Sequence, residues 1–310
     1  MATVITIGEI LVEIMRPVAG ISLDQLGEFQ GPYPSGAPAI FAVAAARLGL
    51  SSAIIGAVGR DAFGRVTLKR FVEEGVDTAG MQFPPGFATG CAFVSYDADG
   101  GREFVFHLRH AAAGQLDPAA IPVELFEAVR WLHLSGSTLA LNQNSREACQ
   151  RALVLAQEHG AKISLDPNLR LELMPLETWR DVLTPYLKIT DLLLPTASEA
   201  RSITGELHDD QAAWALMGKP GSIVVLKRGP EGCSIYQGEK RLDLPGFAVE
   251  DEVDPTGAGD CFSAAFIAGL EMGWSLEKVG RFANTAGALA VTRMGPMEGA
   301  PTWEQVEAVL

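Results

Sequence analysis

Cysteine and positive charge are both scarce in this sequence, and each shortage narrows its setting. The four cysteines, Cys91, Cys149, Cys233 and Cys261, are scattered and form no Cys-x-x-Cys pair. Neither a disulfide framework nor a zinc site is expected, and a reducing, cytoplasmic compartment is. Lysine and arginine total 24 against 38 aspartates and glutamates, a net charge of −14. So acidic a chain is not expected to bind nucleic acid or an anionic membrane. Any nucleotide triphosphate must rely on local dipoles and a few cations. No apolar run reaches membrane-spanning length; residues 37–59 come nearest, and Arg47 and Gly49 interrupt them. The first eight residues lack a basic region and a cleavage site, and read as a first strand.

Several familiar motifs are also missing. The only Gly-Lys is Gly218-Lys219, followed by Pro220, so there is no Gly-x-x-x-x-Gly-Lys-Ser/Thr loop. No Gly-x-Gly-x-x-Gly follows the first strand, which disfavours a dinucleotide-dependent oxidoreductase. There is no His-Glu-x-x-His, and the five histidines show no ligand spacing. Gly-x-Ser-x-Gly is absent too; Leu134-Ser135-Gly136-Ser137 reads as a strand-end turn. With no repeat, low-complexity tract or linker, residues 1–310 read as a single domain.

What is present is enough for a large α/β core, at 48% hydrophobic and 20% charged residues. Val4–Ile7 and Ala53–Val58 read as strands, and Ala37–Leu48 and Ala62–Glu74 as helices, the second capped by Asp61. Such alternation marks a parallel sheet. It resumes with strands at Trp131–Leu134, Lys162–Asp166, Asp191–Leu194 and Ile223–Lys227, and with helices between and after them. Thr89–Tyr96 and Arg102–Leu108 break the pattern. They flank the turn sequence Asp97-Ala98-Asp99-Gly100-Gly101 and read as a β-hairpin. With the Gly/Pro-punctuated stretch after Ile10, the hairpin makes a small antiparallel lid from about 10–36 and 88–109.

Ligands of open parallel sheets bind beyond the carboxyl ends of the strands. Asp166-Pro167-Asn168-Leu169-Arg170 falls at such an end, as do Thr196 with Glu199, and Lys227-Arg228-Gly229. Later comes Asp254-Pro255-Thr256-Gly257-Ala258-Gly259-Asp260, running straight into the apolar helix read from Gly257 to Met272. Small residues at a helix N-terminus let amides approach an anion. The helix dipole is expected to keep Asp260 ionised. An anion cradle beside a carboxylate is what phosphoryl transfer to a hydroxyl needs.

These residues resemble the ribokinase-like, or PfkB, carbohydrate kinases. Asp254–Asp260 with Cys261-Phe262-Ser263-Ala264-Ala265 is similar to the family's second signature. Ser35-Gly36-Ala37-Pro38-Ala39, with Arg47-Leu48-Gly49 and the glycine-rich run 56–64, is similar to the first. Asp166–Arg170, Lys227-Arg228-Gly229 and Ala283–Ala288 follow in the family's order, so the resemblance covers nearly the whole chain. It implies a three-layer αβα fold with a mostly parallel central sheet and a β lid. It implies ATP and Mg2+ as cofactors, a sugar substrate, and a homodimer formed through the lid. By the same resemblance Asp260 is the catalytic base, and Gly257, Ala258 and Gly259 form the anion hole. Lys227, Gly229, Gly232, Thr256 and Asn284 fall at the ATP site. Glu199 holds Mg2+ through water, and Asp254 with Thr256 belongs to a potassium-type cation site. Glu13, Gly36, Ala37, Ile40, Arg109, Asp166, Asn168 and Arg170 fall on the substrate side.

The chain departs from the family pattern mainly on that side. Ser35 stands for a glycine, Ile40 for an asparagine that binds a sugar hydroxyl, and Glu13 for an aspartate. Thr196 replaces the asparagine of Asn-x-x-Glu. The stretch 33–41 points to a ketohexose kinase of the tagatose or fructose type. Leu108-Arg109-His110-Ala111-Ala112-Ala113 is similar to the 2-keto-3-deoxygluconate kinases, where Arg109 would meet a carboxylate. A phosphosugar ranks third. A non-catalytic sugar or nucleotide sensor on the same fold is disfavoured by the intact Gly257–Asp260.

Overall fold

The computed structural model describes residues 2–97 and 101–310. Strands β1 (Val4–Ile7), β2 (Leu11–Met15) and β3 (Gln30–Ser35) precede helix α1 (Ala37–Arg47). There follow β4 (Ser52–Ala57), α2 (Ala62–Glu73), β5 (Asp77–Gln82), and the hairpin β6 (Gly90–Tyr96) and β7 (Arg102–His107). The tip of the anticipated turn, residues 98–100, lies outside the described residues. Next come β8 (Trp131–Ser135), α3 (Gly136–Leu141), α4 (Gln143–Glu158), β9 (Lys162–Asp166) and α5 (Leu176–Leu187). β10 (Leu192–Leu193), α6 (Ala197–Thr204), α7 (Asp209–Ala215), β11 (Ile223–Lys227), β12 (Cys233–Gln237) and β13 (Lys240–Leu244) complete the sheet. Three helices close the chain: α8 (Ala258–Glu271), α9 (Leu276–Ala290) and α10 (Trp303–Glu307).

The main sheet has nine strands in the order β13-β12-β11-β10-β9-β8-β1-β4-β5. It is parallel from β5 to β11, and only the β11–β12 and β12–β13 pairs are antiparallel. Successive side chains of a strand point to opposite faces, and here both faces are buried. Ile5, Ile7, Ala53, Ile55, Leu132 and Leu134 enter one core, with Ala152 of α4 and Trp179 of α5. Val4, Ile54, Trp131 and Val225 enter the other, with Phe41 of α1, Phe266 of α8 and Phe282 of α9. Double burial explains why the strands read as continuous apolar runs. His133 is neutral structure within this core. It stacks on Phe41 at 3.8 Å, shares a hydrogen bond of 2.9 Å with Ser164, and burial lowers its pKa to about 3.

β1 is the switch point. The chain runs from β1 to β4 and β5 on one side and returns to β8 on the other, which opens a crevice at the carboxyl ends of β1 and β8. The lid is a second sheet, β3-β2-β6-β7, arching over that crevice. It is mixed rather than purely antiparallel, because β2 and β6 pair in parallel. Asp61 caps α2 through Gly64 N at 2.8 Å and also accepts Thr89 N at 2.7 Å, which ties the root of the hairpin to the main domain. Among the described residues no helix is long and apolar enough to cross a membrane.

Four local readings change. β5 has the sequence DTAGMQ, whose apolar content is too low to announce a strand, and it forms as an edge strand beside β4. α7 is a short amphipathic turn beginning with two acids. A helix is expected from Leu276 to Met294, and α9 ends earlier, at Ala290. In the expected strand-end turn at residues 134–137, Leu134 and Ser135 end β8, and Gly136 and Ser137 already start helix α3. Gly136 permits this helix because a Cβ there would collide with the Pro167 carbonyl and meet Trp179 Cζ3 at 3.0 Å. At an open helical position Gly→Ala stabilises by about 1 kcal/mol. Gly136→Ala is expected to destabilise by about 1–3 kcal/mol through overpacking, read as a lower urea midpoint with unchanged slope. A raised midpoint would show that α3 shifts freely.

Candidate active site

The crevice under the lid is a cleft of about 280 Å3. Of the residues anticipated from sequence, Glu13, Gly36, Ala37, Ile40, Asp166, Asn168, Arg170, Glu199, Lys227, Gly229, Thr256, Gly257, Gly259 and Asp260 line it. Strand ends from both halves of the sheet and the head of α8 therefore converge on one space.

The head of α8 is built by its glycines. Gly257 holds φ +85° and lies against the Pro296 carbonyl, where a Cβ would not fit. The first intrahelical bond runs from Cys261 N to Gly257 O at 2.9 Å, so the amides of Ala258, Gly259 and Asp260 precede the helical ladder. Lys227 Nζ would lie 3.3 Å from a Cβ placed on Gly259, which sets the ammonium beside these amides. Lys227 forms an ion pair with Asp166, the two side chains being 11% and 5% exposed. Burial opposes the lysine's charge, but Asp166, Glu199 and Asp260 outweigh it and raise its pKa.

Asp260 stands in the first turn of α8 and opens onto the cleft. Desolvation, then the nearby Asp166 charge, raise its pKa well above the usual carboxylate range; Lys227 and Arg170 pull it back only in part. The expectation that the helix dipole alone keeps Asp260 an ordinary ionised carboxylate is thus corrected: burial and a like charge dominate. The shift moves the group toward the range a general base needs.

On the other side of the cleft, Glu13 is 5% exposed and accepts Ser35 Oγ at 2.6 Å through Oε1. Its Oε2 is buried without a partner. Desolvation raises its pKa to about 7, with the Ser35 bond opposing. Serine at position 35 thus fixes the longer glutamate and leaves one oxygen free for a ligand. Asn168 has φ +38° and donates to Ser135 Oγ and Ser137 Oγ at 3.3 and 3.4 Å. Glu199 closes a capping box on α6; Oε2 accepts Thr196 N at 2.7 Å and Oε1 accepts Leu169 N at 2.7 Å. Thr196 therefore does locally what an asparagine could do.

Other anticipated residues sit elsewhere. Arg109 does not line the cleft; its guanidinium donates to the carbonyls of Leu141 at 2.9 Å and Leu173 at 3.1 Å, clamping the rim rather than meeting a ligand. Gly232 and Asn284 do not line the cleft; a Cβ on Gly232 would collide with the Leu244 carbonyl, and Asn284 donates to Pro245 O at 2.9 Å, while Cys233, Leu244 and Pro245 line a second cavity of about 260 Å3. Asp254 is fully buried, its carboxylate accepting Tyr96 Oη at 2.7 Å and the amides of Thr256 and Gly295 at 2.9 Å each. Thr256 Oγ1 receives Arg102 Nη1 at 3.3 Å. These protein donors take up part of the accepting capacity of the Asp254 and Thr256 oxygens.

Sequence reasoning passed over Glu9 as a site residue, although it follows β1 directly at the switch point. It accepts Ser137 Oγ at 2.6 Å and also Thr138 Oγ1, and burial raises its pKa. The lid face was also missed: Arg102, Phe104, Phe106 and Leu108 line the cleft. Their spacing of two is the signal, since alternate residues of a strand share a face. Arg109 has the opposite parity.

The profile described as pfkB family carbohydrate kinase matches residues 1–303. The chain belongs to the pfkB family of carbohydrate kinases. Fructokinase-1 of Oryza sativa subsp. japonica is 34% identical over 314 aligned positions, covering 98% of this chain and 96% of that protein. An Escherichia coli protein solved with ATP and Mg2+ superimposes with TM-score 0.92 at 38% identity, covering 100% of this chain and 99% of the other. Fructokinase from Vibrio cholerae O395, solved with fructose, ADP and calcium, has TM-score 0.87 at 28% identity, covering 100% and 99%. A double mutant of that fructokinase was solved with fructose, ADP and potassium. This pfkB kinase thus has the fold expected, with the cleft at the family's strand ends.

Glu13 makes stability depend on pH. Its carboxyl is raised from 4.5 to about 7 on folding. A raised acid contributes stability that is full below the unfolded value and lost as pH rises through the folded one. Between pH 5 and 8 the wild type should therefore lose about 2 kcal/mol relative to Glu13→Gln. Parallel stability–pH curves for the two proteins would show that Glu13 does not titrate there.

Proposed function

We propose that this kinase transfers the γ-phosphoryl group of ATP to a hydroxyl of a ketohexose, of fructose or tagatose type. The observation that carries the reading is Asp260 at the head of α8, within a cleft that also holds Lys227 and the hydroxyl-binding Glu13. In this reading the sugar oxygen bonds to the γ-phosphorus, the bond from that phosphorus to the ADP oxygen breaks, and Asp260 takes the hydroxyl proton. The amides of Gly257, Ala258 and Gly259, with Lys227, meet the charge on the transferring group. Glu13 Oε2, Ser35, Asn168 and Arg170 orient the sugar, with Gly36 and Ala37 at its edge and Ile40 as an aliphatic wall. Gly229, Gly232, Thr256 and Asn284 belong to the nucleotide side.

Mg2+ fits this site. Among the described residues no cluster of three or more His, Cys, Asp or Glu could hold a metal. Glu199, whose Oε1 keeps a lone pair beside its bond from Leu169 N, suits an ion held largely by nucleotide phosphates and water. When bound, the ion neutralises phosphate charge. The relatives solved with ATP and Mg2+, and with fructose and ADP, support the same reading.

A keto-deoxy sugar acid is the second reading, favoured by Arg102 and Arg170 on the sugar side of the cleft. Arg109, turned to the rim, no longer supports it. The single-domain reading over 1–310 goes with a cytoplasmic kinase, and the net charge of −14 supports the absence of nucleic-acid or anionic-membrane partners. The lid's outer face, with Phe93 and the 42% exposed Val105, supports a homodimer.

Two measurements test the proposal. In an ADP-release screen, D-fructose or D-tagatose should turn over well above sugar acids and sugar phosphates; the reverse order would replace the first reading with the second. Asp260→Asn should keep ATP binding within about threefold and lower turnover by roughly 10²–10⁴, the usual range for a general base. Wild-type turnover in that variant would remove Asp260 as the base.

A further inference from the structure

Tyr96 ends β6, at the free end of the lid, and its side chain leaves the lid altogether. Its hydroxyl donates to Asp254 Oδ1 at 2.7 Å. The same oxygen accepts Thr256 N at 2.9 Å, and Oδ2 accepts Gly295 N at 2.9 Å. Asp254 has no exposed surface, so one buried carboxylate joins three chain segments. Two of them frame the anion cradle. Thr256 leads directly into Gly257, and Pro296, next to Gly295, is the carbonyl on which Gly257 rests. Arg102, the register partner of Tyr96 across the hairpin, donates to Thr256 Oγ1 at 3.3 Å. Both lid contacts with this loop therefore come from one rung of the β6–β7 ladder. The opposite end of the lid is fixed at Thr89 by Asp61.

We propose that Tyr96 is a positioning residue: through Asp254 it latches the closed lid to the loop that forms the anion cradle, so that covering the sugar and ordering the transfer centre are one event. The inference rests on the reading of Gly257–Asp260 as that centre. It gives the buried Asp254 carboxylate a mechanical task, tying the lid to the loop before α8. Burial and the Asp254 charge push the Tyr96 phenol up, so it stays a donor at working pH. The charged acceptor makes this bond stronger than one between neutral groups. Its loss should loosen residues 254–259 without unfolding the lid, whose strands keep their own ladder.

The test is Tyr96→Phe, which keeps the ring and removes only the hydroxyl. In the ligand-free protein, amide exchange in 254–259 should accelerate about tenfold, while the core of α9 stays unchanged. Turnover with D-fructose and ATP should fall about tenfold with KM for ATP within twofold, a split that general destabilisation does not give. Unchanged exchange in 254–259, or equal acceleration throughout α9, overturns the latch whatever the turnover. The exchange measurement needs no sugar. If no sugar is phosphorylated by the wild type, the kinase reading falls, and the latch is still judged on exchange.

Discussion

The ion pair between Lys227 and Asp166 holds the cleft together. Asp166 ends β9, Lys227 ends β11, and the lysine's ammonium lies beside Gly259 at the head of α8. Three carboxylates, Asp166, Glu199 and Asp260, act on that one ammonium. Without it, Asp166 and Asp260 would share a desolvated space with no ammonium beside them, and the Asp166 charge already raises the pKa of Asp260. Removing one partner of such a buried pair costs about 3–5 kcal/mol, because the other charge is left uncompensated. The pair also settles how a chain of net charge −14 can approach a polyphosphate. Overall charge repels the nucleotide, and the proposed reading sets against it the Lys227 ammonium and the amides at the head of α8.

Topology brings these groups into reach. The chain leaves β1 in one direction and returns at β8, and the gap between the two strand ends is bridged by Glu9, bonded to Ser137 and Thr138. Asn168 extends this network into the cleft by donating to Ser135 and Ser137. The floor of the cleft is thus a set of short polar contacts across a parallel sheet. Its roof is the lid, whose inward face is mostly aromatic and aliphatic. In the proposed reading, a hydroxylated ligand held between them is shielded from water while its reacting oxygen faces Asp260. Exclusion of water matters for a kinase, since water is the competing acceptor.

Much of this was legible in the chain. The order loop, small residues, carboxylate, apolar helix is local, so Asp254–Asp260 announced itself, and the βα alternation announced the sheet. Glu13 was legible as a departure, and the structure explains how it is accommodated: Ser35, also a departure, accompanies it at 2.6 Å. What failed was direction. Arg109 follows β7 closely in sequence, yet lies out of phase with Arg102, Phe104, Phe106 and Leu108, and therefore turns away from the cleft. The raised pKa of Asp260 was not legible, for another reason. A helix dipole can be read from sequence, whereas the burial and the Asp166 charge that outweigh it depend on residues far apart in the chain. Long-range register and desolvation are the two quantities that local patterns do not carry.

The central claim is that the Lys227–Asp166 pair supplies the charge that meets the nucleotide's phosphates. Titration calorimetry of Mg·ADP into the wild type and into an Asp166→Asn/Lys227→Met variant tests it most directly, because the double change removes both members of the pair together. Affinity at least tenfold weaker in the variant, with folding intact, is the predicted result. Equal affinity in the two proteins would contradict it and move the phosphate site away from Lys227.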